Sequence, residues 1–179
     1  QRTADFATSR HNLGNLAASL GQLEAAMAHY RQAIAIDGQF YPAKVNLAML
    51  YNQQGMNSEA ERLLREVVVA YPELYEVKYS LGLLLAELQR FDEAVVYLAD
   101  AGRGLPKRAR IQYNLGLLLQ QLGRSSDAEA AFNQALSLEP VLDRQALDRG
   151  QVPPGRPARS ARRFRVHRAA RTPVARSTP

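Results

Sequence analysis

A chain of 179 residues, 46% hydrophobic and 22% charged, is long enough to bury one core of ordinary size, as one domain or one array of repeats. It holds no cysteine, which excludes disulfides, thiolate metal sites and cysteine nucleophiles but leaves the compartment open between cytoplasm and periplasm. The net charge of +6 is unevenly spread: residues 1–140 carry 13 Lys and Arg against 15 Asp and Glu, whereas residues 141–179 carry ten Arg against only Asp143 and Asp148.

No apolar run approaches the 18 or more residues of a membrane span; the longest candidate, 81–88, is short and contains Glu87, so a soluble chain with no membrane partner is expected. The chain begins at Gln1 rather than methionine, which leaves open a processed product, a removed signal peptide or a piece of something longer.

After a polar lead-in over 1–6, the sequence repeats itself every 34 residues. Leu13, Leu47, Leu81 and Leu115 keep this period, as do Ala26, Ala60, Ala94 and Ala128. A small residue follows each leucine, as Gly14, Ala48, Gly82 and Gly116, and a large one recurs as Tyr30, Leu64, Leu98 and Phe132. Gly38, Pro72, Pro106 and Pro140 close the units, giving boundaries of 7–40, 41–74, 75–108 and 109–140.

Each unit reads as two helices. The first unit predicts helices over 7–20 and 23–36, the second over 41–54 and 58–70, the third over 75–88 and 91–101, the fourth over 109–122 and 126–138. Gly21, Gly55 and Gly123 supply the left-handed residue between the two helices, but Gln89 breaks that column and predicts a different third turn. Pro42 suits a first helical turn, and Asn57 is the expected N-cap of the helix after it. Gly102 and Gly104 stand where other units have apolar residues, so the sixth helix is expected to end early. The small residues at 116 and 128 let paired helices approach to about 8–10 Å, with Leu115 and Phe132 filling the flanks.

A fixed period of 34 with two helices per unit is the mark of a helix-turn-helix solenoid. In wording and spacing, residues 7–140 resemble the tetratricopeptide repeat family, through NLGN at 12–15, NLAM at 46–49, SLGL at 80–83 and NLGL at 114–117. That resemblance implies an all-α, right-handed α-solenoid of four repeats. It also implies that the first helix of each pair lines a concave face, and that the chain is a non-catalytic scaffold binding a partner protein, peptide or helix there. The groove residues it assigns are Asn12, Asn15, Val45, Asn46, Met49, Tyr79, Leu83, Tyr113, Asn114 and Leu117. Val45, Met49, Tyr79, Leu83, Tyr113 and Leu117 would form an apolar and aromatic floor, and the asparagine amides would bond a peptide backbone. The alternative, that Tyr79 and Tyr113 pack between neighbouring helices, stays open. One class in the family grips the C-terminal carboxylate of heat-shock chaperones with two asparagines and three basic residues. This chain keeps Asn15 and Asn46 but has His11, Glu76 and Ser80 in the basic places, so that ligand is not expected.

Enzyme chemistry finds no support in the residues. His11, His29 and His167 have no metal-ligand spacing, and no nucleophile elbow, phosphate-binding glycine loop or HExxH is present, so no cofactor is called for. Glu24, Glu59, Glu93 and Asp127 fall near the starts of second helices, where they complement the helix dipole.

Beyond Pro140 the register stops. Residues 141–149 suit a short capping helix, and 150–179 hold eight Arg, five Pro and no acid, a composition that builds no core. That tail reads as an arm for nucleic acid or an acidic surface, as a solvated extension, or as non-native sequence. The function classes weighed are therefore the groove scaffold, a nucleic-acid-associated adaptor acting through the tail, and a targeting module of a larger enzyme, with self-association through an exposed last helix a further option.

Overall fold

The computed structural model describes residues 2–139. The capping helix expected at 141–149 and the arginine-rich tail lie outside the described residues. Within them are eight helices and no strand: α1 (Arg2–Ser19), α2 (Leu23–Ile36), α3 (Tyr41–Gln53), α4 (Asn57–Ala70), α5 (Tyr75–Glu87), α6 (Phe91–Gly104), α7 (Ala109–Gln121) and α8 (Ser125–Leu138). The substantial helix contacts all join consecutive helices, the largest within the pairs α1–α2, α3–α4, α5–α6 and α7–α8. Four antiparallel hairpins therefore stack in a line as an all-α solenoid, each unable to cover its apolar stripe without a neighbour.

Small residues set how closely each pair approaches. A Cβ at Gly14 would lie 2.5 Å from the Tyr30 ring, one at Gly116 2.5 Å from the Phe132 ring, and one at Gly82 2.9 Å from Leu98. Ala26, Ala60 and Ala94, on the second helices of the first three hairpins, are fully buried. Met27, Leu81, Leu85, Leu98, Ile111 and Val67 are the bulkiest side chains sealed inside.

The four hairpin turns share one backbone solution. In each, the third residue past the first helix donates back across the turn: Gln22 to Ala17, Met56 to Tyr51, Arg90 to Leu85 and Arg124 to Leu119, at 2.8–2.9 Å. This closure needs a left-handed residue, supplied by Gly21, Gly55 and Gly123. Gln89 was expected to change the third turn, yet it adopts the same conformation with φ of 60°. Tertiary closure of the hairpin overrides the resistance of its side chain.

Three other expectations are corrected. Helix α1 begins at Arg2 rather than 7, and Asp5 sits favourably in its first turn. Asn57 does not cap α4: the helix starts at Asn57 itself, the capping place falls to Met56 with no side-chain bond, and the Asn57 Oδ1 is buried without a hydrogen bond. Helix α6 is not shortened but runs to Gly104, because its two glycines are packing sites. Gly102 lies against Gln112 and Ile111 of α7, and Gly104 lies under the Tyr75 ring of α5, so a larger residue would collide with the next layer at the first and with its own hairpin at the second.

Candidate functional site

Calling the first helices of the hairpins A (α1, α3, α5, α7) and the second helices B (α2, α4, α6, α8), the two ranks differ in chemistry. B helices are joined by charge. Arg65 on α4 bonds Glu61 and reaches Glu93 on α6 at 2.8 Å, while Arg90 closes the ring onto Glu61 and Glu93. Partial burial would raise the Glu61 carboxyl, but hydrogen bonds from Arg65 and Arg90 outweigh it and hold it below the usual carboxylate range. Within hairpins the same pairing recurs one period apart, as Lys44–Glu66 at 2.9 Å and Lys78–Asp100 at 2.5 Å.

A helices are joined chiefly by neutral groups, the exception being Glu76 of α5 with Arg108 just before α7. Asn46 Nδ2 lies 3.0 Å from His11 Nε2 and donates to Asn15 Oδ1 at 2.9 Å, and Asn15 Oδ1 also accepts from the Tyr30 hydroxyl at 2.8 Å. Burial lowers the His11 pKa, which favours the neutral ring whose Nε2 can accept from Asn46. Two layers on, Asn114 Nδ2 donates to the Tyr79 hydroxyl at 2.9 Å. Both bridges join residues 35 apart, so they are the same rung in the α1–α3 and α5–α7 seams. In the α3–α5 seam that place falls to Val45 and Ser80, and the Ser80 hydroxyl turns back to the Glu76 carbonyl.

The seam without a rung carries a surface depression of about 440 Å³, lined by His11, Val45 and Asn46 with Tyr41, Tyr75, Glu76 and Leu105. A larger one of about 740 Å³ lies along α4, but its walls include Lys44, Glu61, Arg62, Arg65 and Glu66, which already pair with charges of opposite sign. It offers a ligand little uncompensated charge.

The ten residues assigned from the sequence are not equivalent. Asn12, Asn15 and Met49 are exposed, Met49 at 49%. Val45, Asn46, Tyr79, Leu83 and Asn114 are half-buried, and Val45, Tyr79 and Leu83 also pack on the main core. Leu117 is half-buried against Tyr113 and Ala135. Tyr113 is only 6% exposed, its ring 5.9 Å from Phe132 and its hydroxyl buried without a hydrogen bond. That ring serves the hairpin more than the surface. Sequence reading missed His11 as a bridging group and Tyr41 and Tyr75 as walls of the depression; the separation of 35 between polar A-helix residues was the available signal. The carboxylate clamp is also absent in geometry, since Asn15 and Asn46 bond each other and Glu76 pairs with Arg108.

Profiles described as tetratricopeptide repeat match residues 17–79 and 109–140, together more than half of the chain. The chain belongs to the tetratricopeptide repeat family. As a repeat array of that family it is a protein-interaction scaffold in architecture, and solved structures agree on the fold. A MamA protein superposes with a TM-score of 0.72 at 22% identity, covering 77% of this chain and 75% of its own. MamA from Desulfovibrio magneticus RS-1 gives 0.69 at 18%, covering 76% and 77%. PilF of Pseudomonas aeruginosa gives 0.70 at 25%, covering 78% of this chain and 64% of its own. No curated protein matches by sequence. No described helix is long and apolar enough to cross a membrane, and no cluster of three or more metal-ligating side chains occurs among the described residues.

Proposed function

We propose that the A-helix face takes an uncharged or weakly charged segment of a partner polypeptide, anchored at the α3–α5 seam. The observation that carries this is the 440 Å³ depression in the seam where Val45 and Ser80 replace the bridging pair. There the A helices leave an apolar and aromatic hollow beside Val45, Tyr41 and Tyr75, with the exposed Met49 one turn along α3. An apolar side chain of the partner fits the hollow, and the polar groups of Asn12 and Asn15 offer hydrogen bonds to its backbone. Cofactor and reaction have no part in this reading, which is of a binding module.

The test is affinity capture with the full chain against Val45→Lys and Met49→Arg variants, each checked for native helicity. Val69→Lys on α4, where Val69 is 82% exposed, is the control. Partners held by wild type and Val69→Lys but lost from both groove variants support the assignment. Partners retained by the groove variants place binding elsewhere.

A further inference from the structure

The rung between α1 and α3 and the rung between α5 and α7 occupy the same place in the repeat, but only the first is built on a group that titrates near neutrality. In the later rung Asn114 donates to the Tyr79 hydroxyl, whose pKa burial raises above the ordinary value of about 10. In the earlier one the acceptor is the His11 ring.

The first rung is a directed chain. The Tyr30 hydroxyl donates to Asn15 Oδ1, the Asn46 amide donates to the same oxygen at 2.9 Å, and its other hydrogen faces His11 Nε2 at 3.0 Å. In this arrangement Nε2 is the acceptor, so the ring is neutral with its proton on Nδ1. Tyr30 and Phe40 flank that ring, with centroids 5.7 Å and 5.5 Å away. A proton taken up from water at Nε2 sets donor against donor. Turning the Asn46 amide over restores an acceptor to His11 only if Asn15 turns as well. The Tyr30 hydroxyl hydrogen, on a residue 3% exposed, then loses its acceptor. Either outcome costs the seam a bond.

The charges around the ring are committed elsewhere or stand apart from it. Arg31 of α2 and Lys44 of α3 turn to Tyr51 and Glu66, and Arg10 adjoins His11 in sequence. Glu73 and Glu76 line the same depression, Glu76 being held by Arg108, and neither forms an ion pair with the ring. Burial lowers the His11 pKa more than its bond with Asn12 raises it.

We propose that the α1–α3 rung is an acid-released latch: protonation of His11 at Nε2 breaks its bond with Asn46 and loosens the first hairpin from the second, while the Tyr79–Asn114 rung holds. Because folded His11 takes its proton at lower pH than the unfolded chain does, the latch contributes fully above the ordinary pKa of about 6.5. Its contribution is lost as pH falls through that value to the lower folded one.

Amide exchange of the full chain from about pH 8 to about pH 5, corrected for intrinsic rates, reads the seam. Protection at residues 13–17 and 46–50 should fall at least about fivefold relative to residues 114–118, the least expected when one buried donor is left unpaired. His11→Gln puts an uncharged acceptor in place of the ring, so it should keep protection at the upper pH and lose the pH step. His29 of α2 is the same in both chains, so their difference reads His11 alone. Asn46→Asp offers the charged ring a carboxylate and should reverse the sign, so that the seam tightens on acidification. Equal pH steps in wild type and His11→Gln, an equal step at 114–118, or acid loosening in Asn46→Asp would each overturn the proposal. None of these outcomes depends on what the depression binds.

Discussion

The first three hairpins and the fourth are built from the same columns but not held equally. One core runs from Ala17 on α1 to Leu98 on α6 and takes in Leu118 of α7, with Leu81, Leu85 and Val67 sealed within it. The fourth hairpin otherwise rests on two small groups, Tyr113 with Ala135 and Leu119 with Ala128 and Ala131, and on Ile111 of α7, fully buried beside Gly102 of α6. Alanine supplies little apolar area, and Tyr113 buries an unpaired hydroxyl. In a stack where stability is a sum of units and neighbour contacts, the lesson is a gradient: the continuous core unfolds as one, and α7–α8 open first.

The largest test strikes the core. Leu81 is fully buried, so Leu81→Ala should cost about 2–5 kcal/mol and lower the single main transition seen by denaturation. Leu119→Ala should instead leave that transition nearly in place and speed amide exchange in α7 and α8. Equal loss of the main transition in both variants would show a core that is not graded. Overpacking gives a related, smaller effect: Ala94 is fully buried against the Gly82 layer, and Ala94→Leu should cost roughly 1–3 kcal/mol in the melting midpoint.

Tyr113 sharpens the contrast in the other direction. Tyr113→Phe keeps the contact with Phe132 and removes the unpaired hydroxyl, so the fourth hairpin should gain about 1 kcal/mol, read as slower exchange in α8. A loss of protection there would mean that the hydroxyl has a partner in solution.

The fold was legible in the period because four copies agree: leucine, small residue and alanine columns fix which faces meet. What escaped was anything decided by a single copy against its column. Gln89 takes a glycine's conformation because the hairpin closes regardless. Gly102 and Gly104 read as helix breakers in isolation, but the Gln112 and Tyr75 side chains that need the space stand in other helices. The candidate site divides in the same way. Tyr79 and Tyr113 share a column, yet Tyr79 meets Asn114 in the next layer, whereas the place 35 residues beyond Tyr113 is Asp148, outside the described residues. The repeat columns placed asparagines along the A helices; which of their amides are bonded across the face depends on layers that only the fold brings together.

The smallest effect concerns the charges that fasten the central hairpins. The hydrogen bond from Lys78 holds the Asp100 carboxyl below its usual pKa against partial burial, and Arg103 adds to it. Because the folded pKa is depressed, the unfolded chain takes up the proton first. The contribution is therefore complete above the ordinary carboxylate pKa of about 4 and disappears as pH falls through the lower folded value. Asp100→Asn should cost no more than about 1 kcal/mol at neutral pH, since the carboxylate is partly exposed and screened. The variant should also lose stability less steeply than wild type on acidification below about pH 4, measured by denaturant midpoints across that range. Identical acid slopes would show that the Lys78 pair contributes nothing to the central core, and that the gradient along the stack is set by apolar packing alone.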